Sequence, residues 1–108
     1  MGCHWPRCGE PGVHMLTHVV MFRFEDPADV PEALGLLRAL AEKVPAANTL
    51  RVGTDLNGQV AAFDVLLVSE HDDELALQEY RQHPEHQRVL AWLEDHQCQR
   101  VAFDSTDL

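Results

Sequence analysis

The sequence predicts an α+β fold of ferredoxin-like type, a four-stranded antiparallel sheet with helices on one face, ordered β-α-β-β-α-α-β. Three observations lead there. Four segments rich in β-branched and aromatic residues are interleaved with segments of helical periodicity. The length of 108 residues is enough for one compact domain and too little for two. The first and third strand segments are apolar on both faces, while the helices suffice to cover only one.

The elements follow in order. Met1 to His14 carries Gly2, Pro6, Gly9, Pro11 and Gly12 without periodicity. It reads as a flexible leader, so the folded domain is expected over 15–108. Thr17-His18-Val19-Val20-Met21-Phe22-Arg23-Phe24 reads as a strand, with His18, Val20, Phe22 and Phe24 on one face. A helix follows, with Asp29 as N-cap and Glu32 completing a capping box. Val30, Leu34, Leu37, Ala41 and Val44 form its stripe, and Pro45 ends it. Thr49 to Asp55 is a short second strand, and Leu56-Asn57-Gly58-Gln59 supplies hairpin chemistry. Val60 to Ser69 is the third strand, with Phe63, Val65 and Leu67 on one face. Ala62, Leu66 and Val68 lie on the other, interrupted by Asp64.

Asp72 or Asp73 caps a second helix that runs to about Arg81, with Leu75, Ala76 and Tyr80 turned inward. Pro84 opens a third helix, anchored by Val89, Leu90, Trp92 and Leu93. Gln99 to Asp104 is the last strand, with Val101 and Phe103 facing one way. The uncovered sheet face is too apolar to leave wet. The economical cover is a second copy, sheet against sheet, so a homodimer is expected.

Composition narrows the function. A 45% hydrophobic content excludes a disordered chain, and a net charge of −10 repels nucleic acid and anionic membrane surfaces alike. No apolar run approaches the roughly 18 residues needed to span a bilayer. Residues 1–14 lack the apolar core of a secretory signal, so the expected location is cytoplasmic. Three cysteines, an odd number, do not make a disulfide framework. Cys3, Cys8, His14 and His18 have the wrong spacing for a zinc site, and no metal or other cofactor is expected. Glu70, Asp72, Asp73 and Glu74 complement a helix N-terminus better than they make a metal site. Cys98 reads as a small buried hydrophobe.

The chemistry concentrates in Tyr80-Arg81-Gln82-His83-Pro84-Glu85-His86. Pro84 ends one helix and starts the next, which places Tyr80 at the end of the first and His86 in the first turn of the second. A phenol and an imidazole at such a corner can serve as proton donor and proton acceptor next to a carbonyl. The same pair also fits ordinary packing with local hydrogen bonds. His83 stands where an N-cap belongs. His18 points into an apolar layer, where a hydrogen-bonded interior histidine competes with a cavity role.

These segments together resemble the stress-responsive A/B barrel family, the Dabb or dimeric α/β-barrel domains. The opening strand, Lys43-Val44-Pro45 before Leu50-Arg51-Val52-Gly53, Phe63-Asp64, the Tyr80–His86 motif and Phe103-Asp104 carry the resemblance, over residues 16 to about 104. It implies a homodimer with an internal cavity in each subunit. The motif is similar to that of olivetolic acid cyclase, a polyketide cyclase of plants. That likeness implies lyase or cyclase chemistry of aldol type on a carbonyl-rich, polyketide-like small molecule, with His86 as base and Tyr80 as donor. It places His18 at the same cavity as a substrate-binding residue. Some relatives hold a metal through backbone carbonyls near the end of helix one, here Val44 to Asn48. The alternatives are a non-catalytic ligand-binding or stress-response protein and an interaction module without a ligand.

Overall fold

The computed structural model describes residues 15–57 and 62–108. Along the chain lie β1 (Leu16–Phe24), a 3-10 turn (Pro27–Asp29), α1 (Val30–Lys43), β2 (Thr49–Thr54) and β3 (Val65–His71). Then come α2 (Glu74–Gln82), α3 (Pro84–Asp95) and β4 (Cys98–Ser105). The sheet order is β2-β3-β1-β4 with all three neighbouring pairs antiparallel, so β1 and β2 run parallel with β3 inserted between them. This is the split βαβ arrangement of a ferredoxin-like fold, as the element order predicted. The expected leader, 1–14, and the hairpin residues Gly58 and Gln59 lie outside the described residues.

One sheet face meets the helices. Val20, Phe22 and Phe24 from β1 and Val65 and Leu67 from β3 are buried there. From the helices, Ala33, Leu37 and Leu40 of α1, Leu77 and Tyr80 of α2, and Val89 and Leu93 of α3 close the core. The opposite face carries Met21, Leu66, Val101 and Phe103, which are 37%, 41%, 51% and 61% exposed. Val101 and Phe103 do face one way, onto this bare side.

Several local expectations need correction. The start of the first helical segment is capped by Asp26, which accepts from the Ala28 N–H at 3.0 Å, while Asp29 is already helical and makes no side-chain cap. Pro27 explains the shift, since its fixed φ starts a 3-10 turn before α1. The buried stripe of α1 is Ala33, Leu37, Leu40 and Val44, a strict i, i+4, i+7, i+11 series that leaves Ala41 exposed. In α2 the inner residues are Leu77 and Tyr80, while Leu75 is 71% exposed. Asp73 caps that helix by accepting from Ala76 N–H at 2.9 Å.

The third strand starts at Val65, and Ala62 to Asp64 precede it. Asp64 accepts from the Phe24 N–H at 2.7 Å through Oδ2, so it ties off the end of β1 rather than sitting on a sheet face. The strand also runs two residues beyond Ser69, to His71. Of the acidic cluster, only Asp73 caps. Glu70 accepts from the Thr49 hydroxyl at 2.9 Å and Asp72 from the Asn48 amide at 2.7 Å, holding the start of β2. Cys98 is half-buried, with burial pushing its thiol up to about 11.

Candidate functional site

The site grows from the alternation of two central strands. On β1, His18 precedes Val20 and Phe22 on the inner face; on β3, Ser69 and His71 follow Val65 and Leu67 on that same face. Antiparallel pairing sets His18 opposite Ser69. On the other side of β1, pairing sets His18 opposite Asp104 of β4. The side chains meet: His18 Nδ1 donates to Asp104 Oδ1 at 2.5 Å. Arg81 donates to the other carboxylate oxygen at 2.9 Å. Burial alone would raise the Asp104 carboxyl. The His18 hydrogen bond and the Arg81 guanidinium outweigh it and hold the group below its ordinary value. With Nδ1 committed to a carboxylate, Nε2 is the ring nitrogen left for a ligand.

Pro84 makes the second part of the site. α2 ends at Gln82, and His83 takes an extended conformation at the corner. Its Nδ1 accepts from the Glu85 N–H at 3.1 Å, the N-cap role read from the sequence. Tyr80 thereby lies in the last turn of α2 and His86 in the first turn of α3, with their rings 4.6 Å apart in an edge-to-face arrangement. His71 and His18 lie 4.9 Å and 6.1 Å from the Tyr80 ring. Three imidazoles therefore surround one phenol.

Each ring is held differently. Tyr80 is 1% exposed, and burial raises its hydroxyl well above the usual phenol value, so it remains protonated. His71 donates from Nδ1 to the Ala46 carbonyl at 3.0 Å and accepts at Nε2 from the Ser69 hydroxyl at 2.8 Å. That pair of bonds fixes its neutral tautomer, and burial lowers its pKa in the same sense. It also commits the Ala46 carbonyl, one of those in the Val44 to Asn48 segment. His86 Nδ1 is buried with no partner among the described residues. Burial, aided by repulsion from His18, lowers its pKa from 6.5 to about 4. The Arg81 carbonyl, which also accepts from the Gln87 amide at 2.6 Å, opposes that fall in part.

Tyr80, His86 and His18 all line one cavity of about 300 Å³ between the sheet and the helices. Its floor is apolar, with Phe22, Leu40, Leu67 and Leu93, and Arg81 and Arg100 stand on its wall. The three residues singled out in the sequence are thus brought together, whereas His83 serves the helix corner. Asp104, His71, Ser69 and Arg100 were not read as site residues. His71 and Ser69 follow from continuing the period of two past Leu67. Asp104 and Arg100 depend on strand register, which the sequence does not display.

The fold and its contents define a ferredoxin-like domain with an imidazole- and phenol-lined cavity under the helices. The chain belongs to the stress-responsive A/B barrel (Dabb) family, whose model matches residues 16–107. Among solved structures it is similar to a dimeric ferredoxin-like protein from Thermobifida fusca YX. Identity is 25%, with 95% of this chain and 99% of that one covered and a TM-score of 0.75. A dimeric ferredoxin-like protein from Jannaschia sp. CCS1 is 27% identical, covering 84% of this chain and 97% of that one, with a TM-score of 0.68. The fold is also that of the hydroxynitrile lyase from Passiflora edulis, at 16% identity, 85% and 92% coverage and a TM-score of 0.71. No curated protein matches the chain. Among the described residues no helix is long and apolar enough to cross a membrane.

Proposed function

We propose that this chain is a homodimeric Dabb protein acting as a lyase or cyclase on a carbonyl-rich small molecule, by acid–base chemistry of aldol type. The observation that carries the reading is Tyr80, a protonated phenol lining an apolar cavity with the His86 ring against it. Its hydroxyl donates to a substrate carbonyl oxygen. His86, unprotonated near neutral pH, takes a proton from the adjacent carbon. The enolate attacks a second carbonyl of the same molecule, a carbon–carbon bond forms, and the proton returns from His86 to the new alkoxide. His18, anchored by Asp104, presents Nε2 to a substrate oxygen. A fold neighbour that is a hydroxynitrile lyase supports lyase chemistry at the level of the fold. The exposed Met21, Leu66, Val101 and Phe103 and the dimeric neighbours support sheet-to-sheet pairing.

Tyr80→Phe tests the reading, because it keeps the buried ring and deletes only the hydroxyl. On a poly-β-carbonyl substrate bound by both proteins, the rate should fall roughly 10²–10⁴-fold with little change in stability. Equal rates would remove Tyr80 from the mechanism. Absence of turnover across a panel of bound polyketide-like ligands would leave a ligand-binding protein instead.

A further inference from the structure

We infer that the ligand of this cavity carries an anionic group, a carboxylate on an apolar carbon body, and that Arg100 binds it. The inference deepens the reading of the cavity as a substrate site and rests on that reading. Its basis is the distribution of charge around the wall. Two guanidiniums line the cavity, those of Arg81 and Arg100. Arg81 is engaged, donating to Asp104 at 2.9 Å. Arg100 makes no ion pair among the described residues, although the chain carries 18 acidic side chains against 8 basic ones.

Its position is fixed by the sheet. On β4, Arg100, Ala102 and Asp104 alternate with Val101 and Phe103, and Arg100 pairs with Phe22 across from β1. Its side chain therefore rises on the helix side, at the cavity, rather than on the bare outer face. A cation over an apolar floor of Phe22, Leu67 and Leu93 matches a molecule with a hydrocarbon body and one charged end. A guanidinium takes a carboxylate through two parallel hydrogen bonds, which fixes orientation as well as charge. The surrounding field of a chain at −10 would repel such a ligand, so an arginine on the wall is what lets it enter.

The position also serves the chemistry. Arg100 and Arg81 are both close enough to disfavour a charged His86. A carboxylate seated on Arg100 offsets the Arg100 share of that repulsion, while burial remains the main reason the ring stays uncharged.

The test uses octanoate and its neutral isostere octanamide, titrated calorimetrically at pH 7.5 into the full-length protein and into Arg100→Leu. Wild type should prefer octanoate by roughly tenfold, the lower end of the range for a charge-assisted hydrogen bond. That preference should shrink as salt is raised. Arg100→Leu should bind both ligands alike, with octanamide affinity kept, and Arg100→Lys should restore part of the preference. The unfolding midpoint of each variant verifies that the fold persists. An unchanged preference in Arg100→Leu, a wild type indifferent to charge, or no binding of either ligand would each overturn the inference. Turnover is not the readout: if the charge preference holds while Tyr80→Phe leaves catalysis unchanged, the proposed mechanism falls and the anion site stands.

Discussion

Acid should unfold this protein through His86. The ring titrates near 4 in the folded state, against 6.5 for an unperturbed histidine, with burial as the main cause. The unfolded chain therefore binds this proton first. Stability is full above about pH 6.5, declines as pH falls below it, and levels off once the folded ring also protonates near 4. Between pH 7 and pH 4.5 the loss from this one group works out at about 2 kcal/mol, an upper figure for a ring that is not wholly enclosed. For a chain of this size that is roughly 10 °C in the unfolding midpoint. The assay is urea denaturation at both pH values, at one fixed protein concentration, for wild type and His86→Gln. The variant shifts the curve at every pH, so the informative quantity is the slope. Wild type should lose about 2 kcal/mol more than the variant over this interval. His71, also lowered, contributes in the same direction in both proteins and cancels. Asp104 is held below the ordinary carboxylate range, so its stabilising contribution is lost only at lower pH. Parallel losses in the two proteins would refute the burial argument.

Two further outcomes follow from the fold. Wild type should sediment at about twice the 12.2 kDa chain mass, and Met21→Asp, on the bare sheet face, should sediment as a single chain; a variant that stays paired would place the interface elsewhere. His83→Ala removes the acceptor at the start of α3 and should cost about 1 kcal/mol in chemical denaturation, with turnover kept, while a collapse in rate would give His83 a part in the reaction.

Much of this architecture is legible in the sequence because the relevant signals are local. The β-branched run of β1, the Asp73 cap and the His83-Pro84 corner each act within a few residues, and each lies where the sequence puts it. Tyr80 and His86 could be placed together for the same reason, since a proline fixes the turn between them. The face a helix turns inward depends on packing between elements, which no local signal carries. Leu75 and Leu77 both offer an apolar side chain, and in the folded domain Leu77 is buried while Leu75 is exposed. Asp64 reads as a break inside the third strand, whereas its carboxylate closes the end of β1 and the strand starts after it, at Val65. His18 bonded to Asp104 was beyond reach, since 86 residues separate the partners and only antiparallel register makes them neighbours.

The anchor of His18 is borrowed from the rim of the sheet. β4 is bonded to β1 on one side only, and it supplies both Asp104 and Arg100. A terminal strand is the part of a sheet that opens most readily, and its opening would release the carboxylate from His18 and carry the guanidinium away together. Val101 and Phe103, on the reverse of that strand, are the residues a second subunit would clamp. Were a second copy to cover that face, dilution that separates the subunits would be felt inside the cavity as a loosened imidazole, because the outermost strand would lose what pins it from behind.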